Sequence, residues 1–320
     1  ELCFFSADGR EHLKLTSFEG DESSPRWSPG GDRIAYVRKA DDDEGSEIFL
    51  HWLESGSSAR VTRLPETPSH VRWHPQGTAL AFAMTVITEA PKIVEPLEKP
   101  EGAEWAENAR VTDRLYHERD GSGHIEPGFS HAFVVPAIGG TARQLTDGDY
   151  HHRQPAWSSD GSTLYVSGNR SDDWEYDYRN SEVYAVDVAS GAIADLTTVS
   201  GPDTHPAASP NGRYLAWLGY ADTNEAYRVT RIRLAGPDGS EPLELLEKLD
   251  RSVSAIQWSS DSSGLYFQYD DRGRTRIGFV TVGDRFSEIA DNLGGTTIGR
   301  PYAGGSFSAA TDGQIAYTYT

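Results

Sequence analysis

Hydrophobic and polar positions along the chain repeat one phrase. An aromatic residue is followed by Ser or His, then by Pro or a polar residue, a Gly turn and an alternating apolar run. The copies are PRWSPGGDRIAYV at 25–37, VRWHPQGTALAFA at 71–83, PAWSSDGSTLYVS at 155–167, PAASPNGRYLAWL at 206–218 and IQWSSDSSGLYFQ at 256–268. A weaker copy, FSAATDGQIAYTY, occupies 307–319. The anchors Trp27, Trp73, Trp157, Ala208, Trp258 and Ala309 are spaced 46, 84, 51, 50 and 51 residues apart. Periods of this length, with four short strands each, are the signature of a β-propeller.

Within a copy the residues predict their own geometry. The segment ending at the anchor is an inner strand, and Asp-Gly or Asn-Gly supplies the φ > 0 positions of a tight hairpin. The next strand alternates, Ile34 and Tyr36 against Ala35 and Val37. Third and outer strands follow: EIFLHWL (47–53) with ARVTRL (59–64), HAFVVPA (131–137) with ARQLT (142–146), and EVYAVDV (182–188) with IADLT (193–197). One such sheet cannot bury both faces, but radial stacking of neighbours can. The expected fold is therefore all-β, a propeller of four-stranded antiparallel blades filling residues 1–320 as one domain. Its repeat cores fall near 2–16, 25–64, 71–146, 155–197, 206–246, 256–290 and 307–320.

The termini set the blade count at six to seven. Residues 2–16 read as third and outer strands alone, and 307–319 as inner and second strands alone. The two halves either combine into one blade of a six-bladed ring or are incomplete blades of a seven-bladed one. Unpaired edges invite aggregation, which favours pairing of the halves. The long interval between Trp73 and Trp157 implies an insertion, placed at 85–130. Its prolines, Pro91, Pro96 and Pro100, make the first part irregular, and 103–116 could hold a short helix. Long excursions from a repeat are usually functional or a cover over a blade edge.

Composition narrows the function. Gly (32) and Pro (17) suit many corners, and 15 Tyr, 11 Phe and 8 Trp suit pleated strands. A net charge of −20 disfavours nucleic acid and anionic membrane as partners. No apolar run approaches 18 residues. The single Cys3 excludes an internal disulfide and a Cys-based zinc site, and reads as a small buried strand residue. The chain opens at Glu1 in mid-strand without Met, so a preceding segment, with any targeting signal, is expected.

Candidate chemistry is sparse. The nearest match to a nucleophile elbow is GFSHA at 128–132, but Ser130 precedes a strand and not a helix. His151 and His152 could be metal ligands, yet neighbours in a strand point opposite ways and no third ligand is evident. The acidic run 41–44 lacks the spacing of a calcium loop and reads as a solvated hairpin tip. No pattern calls for a cofactor. The segment NRSDDWEYDYRNSE (169–182) gathers Asp172, Asp173 and Glu175 around Trp174 and Tyr176. Carboxylates beside aromatics suit a peptide ammonium, so Asp172, Asp173, Trp174 and Glu175 are candidates for substrate steering or domain docking.

Taken together, WSPGGDRIAYV, KPEGAEW, RVTDRLYHERDGSGHIEPGFSHAFVV, ARQLTDGDYHHRQPAWSSDG and NRSDDWEYDYRNSEVYAVD resemble the propeller of acylaminoacyl-peptidase-like members of the prolyl oligopeptidase family. The resemblance spans essentially the whole chain. The tryptophan phrase is shared with Tol-system propellers, and the run 99–150 is the specific part. The resemblance implies a seven-bladed propeller ahead of a C-terminal α/β-hydrolase domain, capping its active site so that only small peptides enter. It implies serine exopeptidase chemistry with a triad in the hydrolase, and no position here matches that triad. It is compatible with exported or cytoplasmic residence and with oligomers. The rival expectation is a stand-alone interaction propeller of the Tol type. A third, an enzyme centred on the propeller channel, lacks a convergent metal or acid cluster in the sequence.

Overall fold

Each full copy of the tryptophan phrase folds into the inner half of a four-stranded sheet. The computed structural model describes residues 1–18, 20–39, 45–94, 97–106, 109–121, 123–294 and 305–319, and contains no helix among them. A hairpin of β1 (Cys3–Phe5) and β2 (His12–Lys14) opens the chain. Blade 1 is β3 (Glu22–Trp27), β4 (Arg33–Lys39), β5 (Ser46–Trp52) and β6 (Ser57–Arg60). Blade 2 starts with β7 (Ser69–Trp73) and β8 (Ala79–Ile87). An insertion follows, carrying β9 (Glu118–Arg119) and β10 (Gly123–His124), before β11 (Gly128–Pro136) and β12 (Arg143–Gln144) complete the blade. Blade 3 is β13 (His152–Trp157), β14 (Thr163–Gly168), β15 (Glu182–Asp187) and β16 (Ile193–Asp195). Blade 4 is β17 (Asp203–Ala208), β18 (Leu215–Gly219), β19 (Arg231–Ala235) and β20 (Leu243–Leu245). Blade 5 is β21 (Val253–Trp258), β22 (Gly264–Asp271), β23 (Arg274–Thr281) and β24 (Phe286–Leu293), and a hairpin of β25 (Phe307–Ala309) and β26 (Ile315–Tyr317) closes the chain.

Every blade is antiparallel and ordered inner, second, third, outer. The core lies between blades. Ala35, Ile48 and Leu50 of blade 1 pack on Val71, Leu80 and Phe82 of blade 2. Ala81 and Ala132 of blade 2 meet Leu164, Val166 and Val186 of blade 3. Val183 of blade 3 meets Leu215 and Trp217 of blade 4, and Ile232 and Leu234 of blade 4 meet Leu265 and Phe267 of blade 5. This is why second and third strands are apolar on both faces: each is covered from two sides.

Tryptophan fastens one blade to the next. Trp73 Nε1 donates to the Arg26 carbonyl at 2.9 Å, Trp157 Nε1 to that of Arg72 at 3.2 Å, and Trp258 Nε1 to that of Ala207 at 2.9 Å. Each acceptor is the residue just before the anchor of an earlier blade. Trp27 packs edge-on against Phe4 of the opening hairpin, 6.2 Å between ring centres, and stays 50% exposed. At the turn after each anchor a single residue is left-handed: Gly31, Gly77, Gly161, Gly212, Ser262 and Gly313. The expected pair of φ > 0 residues is thus one, because Gly161 N–H, for example, donates back to the Ser158 carbonyl around a four-residue turn.

A second fastening closes blades 1 to 3 outward. A Thr hydroxyl of the outer segment accepts a backbone N–H from the third strand: Ile48 to Thr62 (3.0 Å), Ala132 to Thr146 (3.0 Å) and Val183 to Thr197 (2.9 Å). Leu2 N–H makes the same bond to Thr16 at 2.9 Å. The opening hairpin is therefore the outer half of a blade, and its Leu2 packs on Tyr36 and Phe49 of blade 1. The closing hairpin is an inner half, held through Gln257, whose side chain bonds both the N–H (2.9 Å) and the carbonyl (2.8 Å) of Ala309.

The structure corrects several expectations. Among the described residues there are five complete four-stranded blades, and the two terminal halves form separate two-stranded sheets that do not pair with each other. The insertion is 88–127, since β8 and β11 pair as far as Ile87 and Gly128 and extend the blade into it. The described residues of 103–116 form no helix. The segment is too short for an isolated helix and contains β-branched Val111 and Thr112. Cys3 is exposed, on a strand that pairs only with β2 among the described residues. The acidic run 41–44 lies outside the described residues.

Two predictions test these fastenings. Trp157→Phe leaves the Arg72 carbonyl without its donor and should cost about 1–3 kcal/mol, whereas Trp27→Phe should cost under about 0.5 kcal/mol; denaturant midpoints compare them. Glu182 accepts a hydrogen bond from Thr197, but burial, with the fully buried Asp203 nearby, pushes its pKa up to about 7. The folded state then holds this proton after the unfolded state has lost it. Stability is fullest below about 4.5 and falls as pH rises toward 7. Glu182→Gln should flatten that decline and be the more stable protein at pH 8, as read from melting temperature against pH.

Candidate functional site

Antiparallel pairing sends all connections between second and third strands to one face. There the start of each inner strand meets the end of the second strand: Ser69 pairs with Ala83, His152 with Gly168 and Asp203 with Gly219. Blade 5 closes this connection between Asp271 and Arg274 as a tight hairpin. Blade 2 spends 88–127 there, blade 3 spends 169–181 and blade 4 spends 220–230. Three adjacent long connections on one face of an otherwise regular repeat make it the functional face.

The insertion folds against blade 3. Its β9–β10 hairpin is extended by a bond from Ile125 N–H to the His117 carbonyl, 2.9 Å. Arg119 Nε donates to the Tyr116 hydroxyl at 3.1 Å. The Arg114 guanidinium lies 4.2 Å from the Phe129 ring centre, a cation–π contact that ties the insertion to β11. Between insertion and blade is a cavity of about 80 Å³ lined by Val111, Tyr116, Ile125, His151, Arg153 and Trp174, among others. Trp174 closes one wall, edge-on to Phe129 at 5.9 Å and to His151 at 5.8 Å.

The four residues of the acidic segment do not converge. Trp174 faces the insertion cavity. The Asp173 carbonyl accepts the N–H groups of Tyr176 (2.8 Å) and Asp177 (3.1 Å), and its side chain belongs to a separate polar hollow with Tyr178, Arg179 and Asp222. Arg179 and Asp222 pair there at 3.2 Å. Asp172 is exposed, and Glu175 is partly buried, its Oε1 without a hydrogen bond. The segment therefore presents one aromatic residue to the insertion and its carboxylates elsewhere.

His152 starts β13 and His151 immediately precedes it, and each is held neutral. Burial, with Arg153 and Arg114 near His151 and Arg170 near His152, lowers each pKa to about 3. His151 Nδ1 accepts the Ser130 N–H at 3.1 Å, and His152 Nε2 accepts from Arg170 at 2.9 Å. With one ring nitrogen of each engaged, the pair is built into the blade. No group of three or more His, Cys, Asp or Glu among the described residues could hold a metal ion. Ser130 lies mid-strand opposite Thr85, its Oγ 3.4 Å from the His152 carbonyl, far from the strand-to-helix turn of a hydrolase nucleophile.

No protein-family model matches the chain. Dipeptidyl-peptidase 5 of Porphyromonas gingivalis is 23% identical over 300 residues, covering 88% of this chain and 42% of that protein. Dipeptidyl-peptidase 5 of Porphyromonas endodontalis is 28% identical over 253 residues, covering 73% of this chain and 34% of that protein. Its homologues are peptidases. The chain thus spans about a third to two fifths of the curated relatives it matches. In structure it is similar to Pyrococcus horikoshii acylaminoacyl peptidase, with TM-score 0.66, 17% identity, and coverage of 91% of this chain and 41% of that one. A putative TolB from Agrobacterium tumefaciens gives TM-score 0.59 and 17% identity, covering 98% and 95%. At these identities the structural likenesses show the propeller fold alone.

The peptidase homology was legible in the insertion and its flanks. The convergence of the insertion on Trp174 and His151 was not, because it depends on which blade the insertion leans against. Trp174→Ala should free the insertion without unfolding the propeller. Loss of two edge-on contacts on a half-buried ring should cost about 2 kcal/mol. Trypsin cleavage at Arg110, Arg114 or Arg119 should accelerate about ten-fold; an unchanged digestion rate would show that Trp174 does not hold the insertion.

Proposed function

We propose that this chain is the non-catalytic propeller of a serine exopeptidase of the prolyl oligopeptidase family, of the acylaminoacyl- or dipeptidyl-peptidase type. The observation that carries this reading is the likeness to dipeptidyl-peptidase 5 over 88% of the chain, within 42% of that protein. On this reading the chemistry belongs to an α/β-hydrolase domain C-terminal to the propeller, and the propeller admits small peptides and excludes large ones. The full ring has six to seven blades, in which the outer-half and inner-half hairpins at the two ends each take their place. The long connections of blades 2 to 4 supply the surface that meets the hydrolase. Asp172, Asp173, Trp174 and Glu175 serve in docking or in steering a peptide amino terminus.

The test uses the complete protein that carries this propeller. N-terminal residues or dipeptides should be released from short peptides, with the rate falling steeply as peptides lengthen and no cleavage of folded proteins. Neutralising Asp173 and Glu175 together should lower kcat/KM several-fold. Absence of any peptide hydrolysis would refute the peptidase reading. The second reading, a stand-alone interaction propeller, is favoured by the TolB-like structure matched over 95% of its length. The coding sequence beyond Thr320 separates the two: an in-frame Gly-x-Ser-x-Gly elbow followed by Asp and His supports the first, an immediate stop the second.

A further inference from the structure

The five inner strands share an irregularity. Each breaks register with its second strand, between Ser23 and Arg26, Ser69 and Arg72, Arg153 and Ala156, Thr204 and Ala207, and Ser254 and Ile256. At each break a residue other than glycine is left-handed: Ser24, His70, Gln154, His205 and Ala255, with φ from 48° to 56°. All five stand three residues before a repeat anchor. The conformation costs about 1–2 kcal/mol per L-residue, and bulges of this kind re-aim side chains at functional sites.

At the bulges of blades 1 to 4 the structure gathers positive charge. Consecutive inner strands touch one another from β3 through β21, so these residues line the axis. Arg26 donates to the Pro25 carbonyl (2.8 Å) and Arg72 to that of Val71 (3.0 Å). Among the described residues, neither they nor Arg153 pairs with a carboxylate. The charged groups that act on His70 are Arg72, His205, Arg153 and Arg26, drawn from four successive blades. Burial and Arg26 lower the Arg72 pKa to about 10, which leaves it a cation at neutral pH. Arg26, His70, Arg153 and His205 are nonetheless open to solvent. They face solvent around the axis that the inner strands line.

The wall is also pre-arranged. Gln154 Oε1 accepts the His205 N–H at 2.9 Å and the Ser167 hydroxyl at 2.8 Å, while its Nε2 donates to His205 Nε2 at 3.0 Å. Three guanidiniums without carboxylate partners, in a protein of net charge −20, define an anion site.

We propose that this axial cluster binds the C-terminal carboxylate of a short peptide, with Arg26, Arg72 and Arg153 as charged donors and His70 and His205 beside them. The assignment of a peptide rests on the exopeptidase reading. An enzyme that works at the amino end leaves the other end of its substrate to the propeller. Arg–carboxylate pairing is bidentate and directional, so it would both hold the peptide and orient it.

Isothermal titration of this chain with tetra-alanine as the free acid, tetra-alanine amide and inorganic phosphate tests the site. The free acid should bind at least about ten-fold more tightly than the amide. Arg72→Gln and Arg153→Gln should each reduce that preference several-fold, with Arg72→Lys retaining part of it. Unfolding midpoints confirm that each variant folds, and two positions guard against one failing. Equal binding of acid and amide, no binding of either, or phosphate binding as tight as the free acid overturns the proposal. The readout is binding by the propeller, so its failure leaves peptide hydrolysis by the complete protein untouched. Absent hydrolysis with intact acid preference sinks the exopeptidase reading instead.

Discussion

The structure depends on a hydrogen bond that spans blades: the indole N–H of an anchor tryptophan given to a backbone carbonyl one blade earlier. A propeller has little covalent continuity between sheets, and its apolar faces are non-directional. Burial alone would tolerate blades sliding past one another. A buried Trp must find an acceptor for its one donor. By placing that acceptor immediately before the anchor of the earlier blade, the repeat locks the angular step between blades to the sequence register. Blade 4 shows the alternative. Its anchor is Ala208, and that junction relies instead on Gln154 reaching the His205 backbone and on Tyr165 donating to the Pro237 carbonyl at 3.1 Å.

Once the blades are locked, function is confined geometrically. The tryptophan turns face one way and the second-to-third connections the other. An insertion in a turn tied by the Ser hydroxyl, such as Ser158 to Asp160 at 2.6 Å, would disturb the blade-to-blade contact beside it. Gly161 lies so near His74 of the previous blade that a Cβ there would fall 1.9 Å from the ring. Insertions at the opposite face meet no such constraint, and that is where residues 88–127, 169–181 and 220–230 lie. Arg114 on Phe129 ties the insertion to β11, and the insertion shares its cavity with His151, Arg153 and Trp174 of blade 3.

What the sequence revealed follows the same division. Anchors, turns and strand order were legible because each is a local pattern, repeated until coincidence is excluded. The Leu-Thr pairs of outer segments were visible as sequence, but their role as acceptors for a neighbouring strand was not, since it links residues fourteen apart through a third-strand N–H. The exposure of Cys3 depends on what packs over the opening hairpin, which no local pattern encodes. No helix forms among the described residues of 103–116, a segment too short to hold one alone and carrying β-branched Val111 and Thr112. The segment 169–182 read as one cluster of carboxylates about an aromatic residue; folding turned Trp174 to one hollow and Asp173 to another.

The inner-strand bulges are the case where sequence reading is weakest and structure most informative. Ser24, His70, Gln154, His205 and Ala255 are not of one residue type and include no glycine, so nothing marks them as left-handed. Their strain, about 1–2 kcal/mol each, is tolerated because pairing resumes on both sides of the break. Straightening a strand at its bulge would shift the anchor by one residue and so move its indole to the wrong face. The same register that fastens the blades therefore fixes the bulges, and the bulges place guanidiniums from three blades, with His205 of a fourth beside them, about one axis. In an acidic protein this arrangement is not the accidental outcome of composition. Charge of this sign, left without carboxylate partners where carboxylates are abundant, is held apart by the backbone geometry that the tryptophan bonds enforce.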